Sequence, residues 1–127
     1  ILCSLQKSFI YNEKGIIETT YAIEFEALAK QSIQFAGGKF RIKKWGRIKV
    51  VQALKQRKVS TYNINKAVHE IDEAEYAHTL QNLTDKKWNT LKTSTPAIRK
   101  MKTMTYLMQK GYERALIMQA LHKLTIR

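Results

Sequence analysis

The sequence has very few of the residues that cross-link a small fold or interrupt its chain with tight turns. Cys3 is the only cysteine among 127 residues, so no intrachain disulfide and no cysteine metal cage can form, which fits a reducing, cytoplasmic setting. One proline and five glycines are too few for the many turns of an all-β fold. No stretch approaches the roughly 18 apolar residues of a membrane span, and no signal peptide is visible.

Residue types that carry catalysis are also scarce. The three histidines, His69, His78 and His122, are isolated and lack a second ligand at a metal-binding spacing. The glycine pair at 37–38 lacks the GxxxxGK[ST] pattern that cradles phosphates. The acidic residues within 70–75 crowd a helix start, where negative charge stabilises the helix dipole. We therefore expect a binding protein that is not an enzyme and that uses no metal or cofactor.

Positive charge is what the chain has in excess. It carries 23 Lys and Arg against 10 Asp and Glu, for a formal net charge of +13. Because such a surplus costs self-repulsion, it predicts a polyanion or an acidic protein surface as the partner. The alternative is a solvated basic surface that serves solubility. An apolar fraction of 44% still provides enough material for a packed interior.

The cations are concentrated in two regions, residues 39–58 and 86–127. The first holds nine cations and no acid, interleaved with Phe40 and Trp45, and the second holds ten cations against Glu113 alone. Cations mixed with aromatic rings suit phosphate backbones and stacked bases, although Trp45 fits a core anchor better than a stacking platform. The predicted partner-binding or DNA-binding residues are Lys39, Arg41, Lys43, Lys44, Arg47, Lys49, Lys55, Arg57, Lys58, Arg99, Lys100 and Lys102. Of these, Lys39, Lys43 and Arg47 would share one helical face if their helix is continuous.

Helix ends are marked by capping residues. Predicted N-caps are Ser60, Asp72 with Glu75 in a capping box, and Thr95 before Pro96, and Gly111 is a predicted C-terminal cap.

Two further helices are predicted from apolar spacing. The helix after Gly46 has Ile48, Val51 and Leu54 at inward spacing, and the glycine pair at 37–38 is expected to interrupt the helical spacing before it. The last helix, from about Glu113, carries its own inward residues, Leu116, Ile117, Ala120 and Leu121.

The sequence also matches itself. At a shift of 53 positions without a gap, seven apolar anchors of the segment 48–68 fall on apolar residues of 101–121: Ile48, Val51, Leu54, Val59, Ile64, Ala67 and Val68. At a shift of 55, six positions of 16–28 match positions of 71–83. A three-helix unit copied about three times accounts for both matches, whereas the alternative is chance similarity between amphipathic helix pairs. We predict an all-α fold of tandem three-helix repeats in a curved, elongated array. Its parts would be a first-repeat remnant with an extra segment (1–38), a middle repeat (39–92) and a partial last repeat (93–127), with the first repeat's early helices in an N-terminal portion missing before Ile1.

An ordered series of residues resembles the RecX family, bacterial regulators of the RecA recombinase. The segment from Lys39 to Lys55, with its Lys-Phe-Arg, Trp-Gly and Ile-Lys groups, is similar to the middle RecX repeat. Residues 71–76 resemble that repeat's third helix, and 110–121 resemble the last repeat. The chain departs from the family at Lys58, where RecX proteins often have glycine, so we expect this helix to end without the usual cap. A second departure is residues 26–38, which we interpret as extra sequence.

The resemblance implies a monomer that inserts into the groove of the RecA–DNA filament, limits its growth, and dampens recombinase and coprotease activities. Its partners would be the RecA filament and single- or double-stranded DNA, in DNA repair and the SOS response. One alternative is a nucleic-acid-binding helical module that acts without RecA. Another, a helical scaffold for an acidic protein, explains the charge but not the resemblance.

Overall fold

The structure is a computed structural model that describes the backbone of residues 14–125 and the side chains of residues 26–125. Within this range it contains six α-helices and no strand, which confirms the predicted all-α class. The helices are α1 (Lys14–Lys43), α2 (Arg47–Gln56), α3 (Thr61–His69), α4 (Glu73–Thr90), α5 (Pro96–Gln109) and α6 (Arg114–Thr125).

The helices form two groups of three. Helices α1, α2 and α3 pack against one another, and α4, α5 and α6 do the same. The sequence assigned α4 to the end of the middle repeat at 39–92, whereas α4 packs with the two helices that follow it. We therefore propose 14–69 (the first unit) and 73–125 (the second unit) as the repeat units. On this proposal residues 14–38 belong to the first unit and not to a remnant of another repeat, and residues 1–13 lie outside the described range. The curvature of the array stays a prediction.

Each unit has its own apolar core, and one residue of α1 crosses between them. Phe40 lies at the end of α1 but is buried among residues of the second unit. The core of the first unit is formed by Ala36, Val50, Leu54, Ile64 and Ala67. The buried residues of the second core, besides Phe40, are Ile71, Tyr76, Leu80, Leu107, Tyr112, Ile117, Ala120 and Leu121.

The buried face of α2 is centred on Val50 and Leu54, which are 0% and 1% exposed. The prediction that Ile48 points inward is wrong, because its side chain is 45% exposed. Apolar residues at 48, 50, 51 and 54 offer two stripes at helical spacing, and packing selects the one through Val50. In the equivalent helix α5, Leu107 is buried while Met101 is 61% exposed.

Helix α1 continues through the glycine pair at 37–38, so the predicted interruption there is wrong. On either side, Ala36 is buried in the first core and Phe40 in the second. Each glycine costs a helix about 1 kcal/mol relative to alanine, whereas full burial of a phenylalanine side chain contributes about 1.5–3 kcal/mol. Tertiary burial thus overrides the local preference.

The predicted N-caps are confirmed. In each case a side-chain oxygen accepts a hydrogen bond from the backbone N–H three residues later, which satisfies one of the free donors of the first turn. The donor–acceptor pairs are Asn63 N to Ser60 Oγ (3.2 Å), Glu75 N to Asp72 Oδ2 (2.9 Å) and Ile98 N to Thr95 Oγ1 (3.4 Å).

Helices α2 and α5 end in the same left-handed cap. Lys58 has φ of 60°, and Gly111, at the equivalent position 53 residues later, has φ of 95°. In both, the N–H of the next residue donates to the carbonyl five residues back, at 3.1 Å in α2 and 3.2 Å in α5, as in a Schellman motif. The expectation that α2 closes without this cap is wrong, because Lys58 adopts the glycine-like conformation itself.

The two units meet through two turns whose backbones touch. The N–H of Gly46 donates to the carbonyl of Lys110 at 2.7 Å, and the N–H of Ile48 donates to the carbonyl of Gly111 at 2.9 Å. Gly46 provides no side-chain cap for α2, so the free carbonyls at the end of α5 take that role. We call this contact, formed by residues 44–48 and 110–113, the joint.

Only glycine fits on the two facing sides of the joint. A Cβ atom at residue 46 would lie 2.3 Å from the backbone carbon of Gly111, and one at residue 111 would lie 2.4 Å from the Cβ of Lys49. The phenol of Tyr112 adds a hydrogen bond to the carbonyl of Lys44 at 2.9 Å. The joint is therefore a close backbone contact that no small adjustment of a side chain can replace.

Substitution of Lys58 by glycine should stabilise the protein. Glycine adopts positive φ without the steric cost that a lysine Cβ incurs, but it also raises the entropy of the unfolded chain. We expect a net rise of about 0.5–1 kcal/mol in the free energy of unfolding. Urea unfolding followed by circular dichroism measures the change. The matched control, Lys55→Gly in the same helix, should lower the free energy of unfolding by about 1 kcal/mol, and equal effects of the two substitutions would contradict the cap.

Substitution of Gly46 by alanine should open the joint. The added methyl group would meet backbone atoms that cannot rotate away, so we expect a loss of about 3 kcal/mol or more in the free energy of unfolding. Gly38→Ala is the control, because a Cβ at residue 38 has no neighbour within 4 Å and alanine favours the helix by about 0.5–1 kcal/mol. If both alanine variants stabilised the protein in the same unfolding assay, the close approach at Gly46 would be wrong.

Candidate polyanion-binding face

The described side chains of the first unit carry many cations and very few acids. Between Glu26 and Glu70 the chain has no acidic residue, and this stretch covers α2, α3 and most of the described side chains of α1. Among the residues whose side chains are described, the salt bridges run from Arg47 to Glu73 and Glu113 of the second unit. The remaining cations of the first unit whose side chains are described form no salt bridge, and three of them, Lys39, Lys49 and Arg57, lie over aromatic rings.

Most of the predicted binding residues lie on the surface. Lys39, Lys49 and Arg99 are half-buried, and the side chain of Arg47 is 17% exposed. The exposed members of the set are Arg41, Lys43, Lys44, Lys55, Arg57, Lys58, Lys100 and Lys102. Their assignment as partner-binding residues stays a prediction.

The predicted common face of Lys39, Lys43 and Arg47 is formed only in part. Lys39 and Lys43 lie in the last turns of α1, where positive side chains interact favourably with the negative end of the helix dipole. Lys44, with φ of 59°, ends this helix, and Arg47 begins α2 beyond the break. The helix is therefore not continuous from Lys39 to Arg47, and the prediction that all three residues share one helical face is wrong.

Three cations and two rings of the first unit alternate in a continuous row. The Arg57 guanidinium lies 4.2 Å from the centroid of the Phe35 ring, and Lys39 Nζ lies 5.5 Å from the same ring. Lys39 Nζ is also 5.0 Å from the Trp45 ring, and Lys49 Nζ is 4.7 Å from it. All four distances are within the roughly 6 Å of a cation–π interaction. We call these five residues the cation–aromatic row.

The two rings of the row are held by the core beneath them. Phe35 and Trp45 are half-buried and pack against the core of the first unit, which agrees with the interpretation of Trp45 as a core anchor. Phe35 has no recognisable signal in the sequence, because it falls outside the basic run. It becomes relevant only when α1 brings it beside the end of α2.

Arg47 differs from the other predicted residues because its charge is used inside the protein. Its Nη1 donates to Glu113 Oε2 at 2.8 Å and its Nη2 to Glu73 Oε1 at 2.7 Å, while its guanidinium lies 3.9 Å from the centroid of the Tyr76 ring. Burial alone would lower the pKa of Arg47, but these two hydrogen bonds raise it. Arg47 is thus a charged link across the joint.

Two tyrosines complete the joint as neutral hydrogen-bonding groups. The Tyr76 hydroxyl donates to Glu113 Oε1 and accepts from the N–H of Arg47, and its ring centroid lies 5.2 Å from that of Tyr112. Burial is the main cause that raises the pKa of both phenols, so both stay protonated at neutral pH. The sequence signalled Glu113 as the lone acid of 86–127, but nothing in it distinguished Tyr76 from an ordinary core residue.

In the second unit, the predicted residue Arg99 stacks on a ring as the cations of the first unit do. Its guanidinium lies 4.1 Å from the centroid of the Trp88 ring, and its Nε donates to the Trp88 carbonyl at 2.9 Å. Tyr106 has Lys87 at 5.0 Å and Lys110 at 5.9 Å from its centroid. The predicted set did not include these two lysines, although Lys110 is the repeat equivalent of Arg57.

The described part of the chain contains no group of three or more His, Cys, Asp or Glu residues that could hold a metal ion. His69, His78 and His122 are all exposed. None of the helices in this part of the chain is both long and apolar enough to cross a membrane.

Comparison with protein families identifies both units. A model of the second three-helix domain of RecX matches residues 32–68, and a model of the third three-helix domain of RecX matches residues 73–121. The two matches are consecutive and follow the order of the domains in the family. No curated protein and no solved structure shows a significant match to the chain.

The two ion pairs of Arg47 should contribute unequally to stability. The side chain of Glu113 is 31% exposed, whereas that of Glu73 is 83% exposed. Water and salt therefore screen the Arg47–Glu73 ion pair more strongly than the Arg47–Glu113 ion pair. Double-mutant cycles of Arg47→Met with Glu113→Gln and with Glu73→Gln, measured by urea unfolding, should give a coupling of about 1 kcal/mol or more for the first pair. The second pair should give less than about 0.5 kcal/mol, and the reverse order would contradict the proposed link.

Proposed function

Because the chain belongs to the RecX family, we propose that it is a regulatory protein that binds the RecA–DNA filament and dampens recombinase and coprotease activities. The observation that carries this proposal is the succession of the second and third RecX domains in one chain, on two three-helix units. In this proposal the chain inserts into the groove of the filament and limits its growth, in DNA repair and the SOS response.

The charge of the first unit supports a filament as the target. A surface with cations and no acid over residues 27–69 attracts the phosphates of DNA and acidic protein surfaces alike, and such fields accelerate association. A filament of protein on DNA offers both kinds of negative charge close together.

The proposed contacts are the predicted cations other than Arg47, whose guanidinium is already bound by two carboxylates. We propose that the protein acts as a monomer in the cytoplasm, by binding alone and without a cofactor. Regulation would then depend on occupancy of the filament and not on turnover of a substrate.

A second candidate function is nucleic-acid binding that does not involve RecA. The cation–aromatic row favours it, because a row of unpaired cations suits a phosphate backbone with or without a filament. The two functions differ in one measurable quantity: equal affinities for bare DNA and for the RecA filament would favour the second.

The ATPase activity of RecA on single-stranded DNA tests the first function. We expect the chain to inhibit it at stoichiometric amounts. Charge reversal at two exposed cations of the first unit, Lys43→Glu with Lys55→Glu, should raise the half-inhibitory concentration roughly tenfold, or about 1.4 kcal/mol. The control pair, Lys66→Glu with Lys123→Glu, changes the net charge equally at exposed positions outside the proposed contacts and should have a much smaller effect.

Absence of inhibition by the unaltered chain at stoichiometric amounts would contradict the proposed function. Equal loss of inhibition in the two pairs would contradict the assignment of the contacts to the predicted cations. The same comparison with Lys100→Glu and Lys102→Glu measures the share of the second unit.

A further inference from the structure

We propose that the cation–aromatic row of Arg57, Phe35, Lys39, Trp45 and Lys49 binds the phosphate backbone of a single nucleic-acid strand. The rings hold the cations in place and do not stack on bases. The inference deepens the proposed function, on which it rests for nucleic acid as the partner, by separating the cations that contact phosphate from those that contact protein.

The row is continuous across three parts of the first unit. Lys39 lies over both rings, so it connects Arg57 at the end of α2 with Lys49 near its beginning. Phe35 and Trp45 are anchored in the core, and each cation is therefore tied to a fixed point of the fold. Cations that are distant in sequence thus form one line on the surface.

The three cations of the row carry charge that the protein leaves available. None of them forms an ion pair within the part of the chain whose side chains are described. Arg47, in the same basic segment, differs because its charge is already paired with the carboxylates of Glu73 and Glu113. A cation over a ring is weakly stabilised, by roughly 0.5–1 kcal/mol at an exposed site, and remains free to bind an anion.

The arrangement suits a regular polyanion better than a protein surface. A nucleic-acid strand presents one phosphate per nucleotide, whereas acidic protein surfaces carry carboxylates at irregular intervals. A free lysine or arginine side chain carries about 2 kcal/mol of rotamer entropy, and cations already held over rings lose less of it when they bind. Because Phe35 and Trp45 are half-buried with cations over them, their faces are not open to bases.

The experiment measures binding to bare single-stranded DNA, so it does not depend on RecA. The affinity for fluorescein-labelled oligodeoxythymidylate is followed by anisotropy over a series of salt concentrations. The row variant is Lys39→Gln, Lys49→Gln, Arg57→Gln. The matched control is Lys66→Gln, Lys123→Gln, Arg114→Gln, which removes the same number and type of charges from exposed positions outside the row.

The row variant should bind more weakly, and the slope of log K against log salt should become shallower by about 2, since each lost phosphate contact contributes roughly 0.7 for a single strand. The control should keep the slope of the unaltered chain. Equal changes in the two variants would overturn the proposal in favour of general electrostatic attraction.

A second pair of variants tests the rings without changing charge. Phe35→Leu removes the ring between Arg57 and Lys39 and should weaken binding several-fold, whereas Phe35→Tyr keeps the ring and should bind as the unaltered chain does. Circular dichroism confirms that both variants are folded. Unchanged affinity of a folded Phe35→Leu variant would contradict the role of the rings.

Poly-L-glutamate is the probe for an acidic protein partner. The row variant should lose much more affinity for the oligonucleotide than for this polypeptide. If the loss were confined to poly-L-glutamate, the row would be a protein contact. A row variant that loses DNA binding but still inhibits RecA would leave the proposed function intact. A row variant that keeps its DNA affinity but no longer inhibits RecA would refute the proposed role of the row and not the proposed function.

Discussion

At the joint, the N–H groups that begin α2 meet the carbonyl groups that end α5, with no side chain between them. Free donors at one helix start and free acceptors at another helix end satisfy each other, and the two helix dipoles meet with opposite partial charges. This requires glycine at residues 46 and 111. Once the backbones are this close, Phe40 enters the second core and Arg47 reaches the carboxylates of Glu73 and Glu113.

The joint also explains how charge is distributed between structure and function. Two of the few acidic residues neutralise Arg47, and both lie in the second unit. The chain has no acid between Glu26 and Glu70, the other cations described in this stretch form no ion pair, and three of them, Lys39, Lys49 and Arg57, are positioned by Phe35 and Trp45. One part of the basic run thus stabilises the fold while the rest remains available to a partner, which composition alone does not distinguish.

The sequence predicted what is local and periodic. The N-caps and the repeat distance were correct because caps depend on neighbours within one turn and the repeat on apolar spacing. The self-match set the period but not the residue at which a unit begins, so the sequence grouped α4 with the helices before it, whereas α4 packs with the two helices after it. The glycine pair at 37–38 was expected to interrupt the helix, but the helix continues because Ala36 and Phe40 on either side are buried in the tertiary structure. The joint has no local signal, since it brings together residues far apart in the chain, and the cation–aromatic row is completed only by the tertiary contact of Arg57 with Phe35.

The central claim is that the joint makes two three-helix units into one cooperative structure. The chain has two tryptophans, Trp45 in the turn before α2 and Trp88 in α4, so each unit contains its own fluorescent probe. Urea unfolding of Trp88→Phe, observed through Trp45, and of Trp45→Phe, observed through Trp88, measures the units separately. For each variant, the unfolding curve from fluorescence is compared with the curve from far-ultraviolet circular dichroism, which measures helix content. The two curves should coincide in a single transition. A fluorescence transition that departs from the loss of helix content in either variant would contradict the claim.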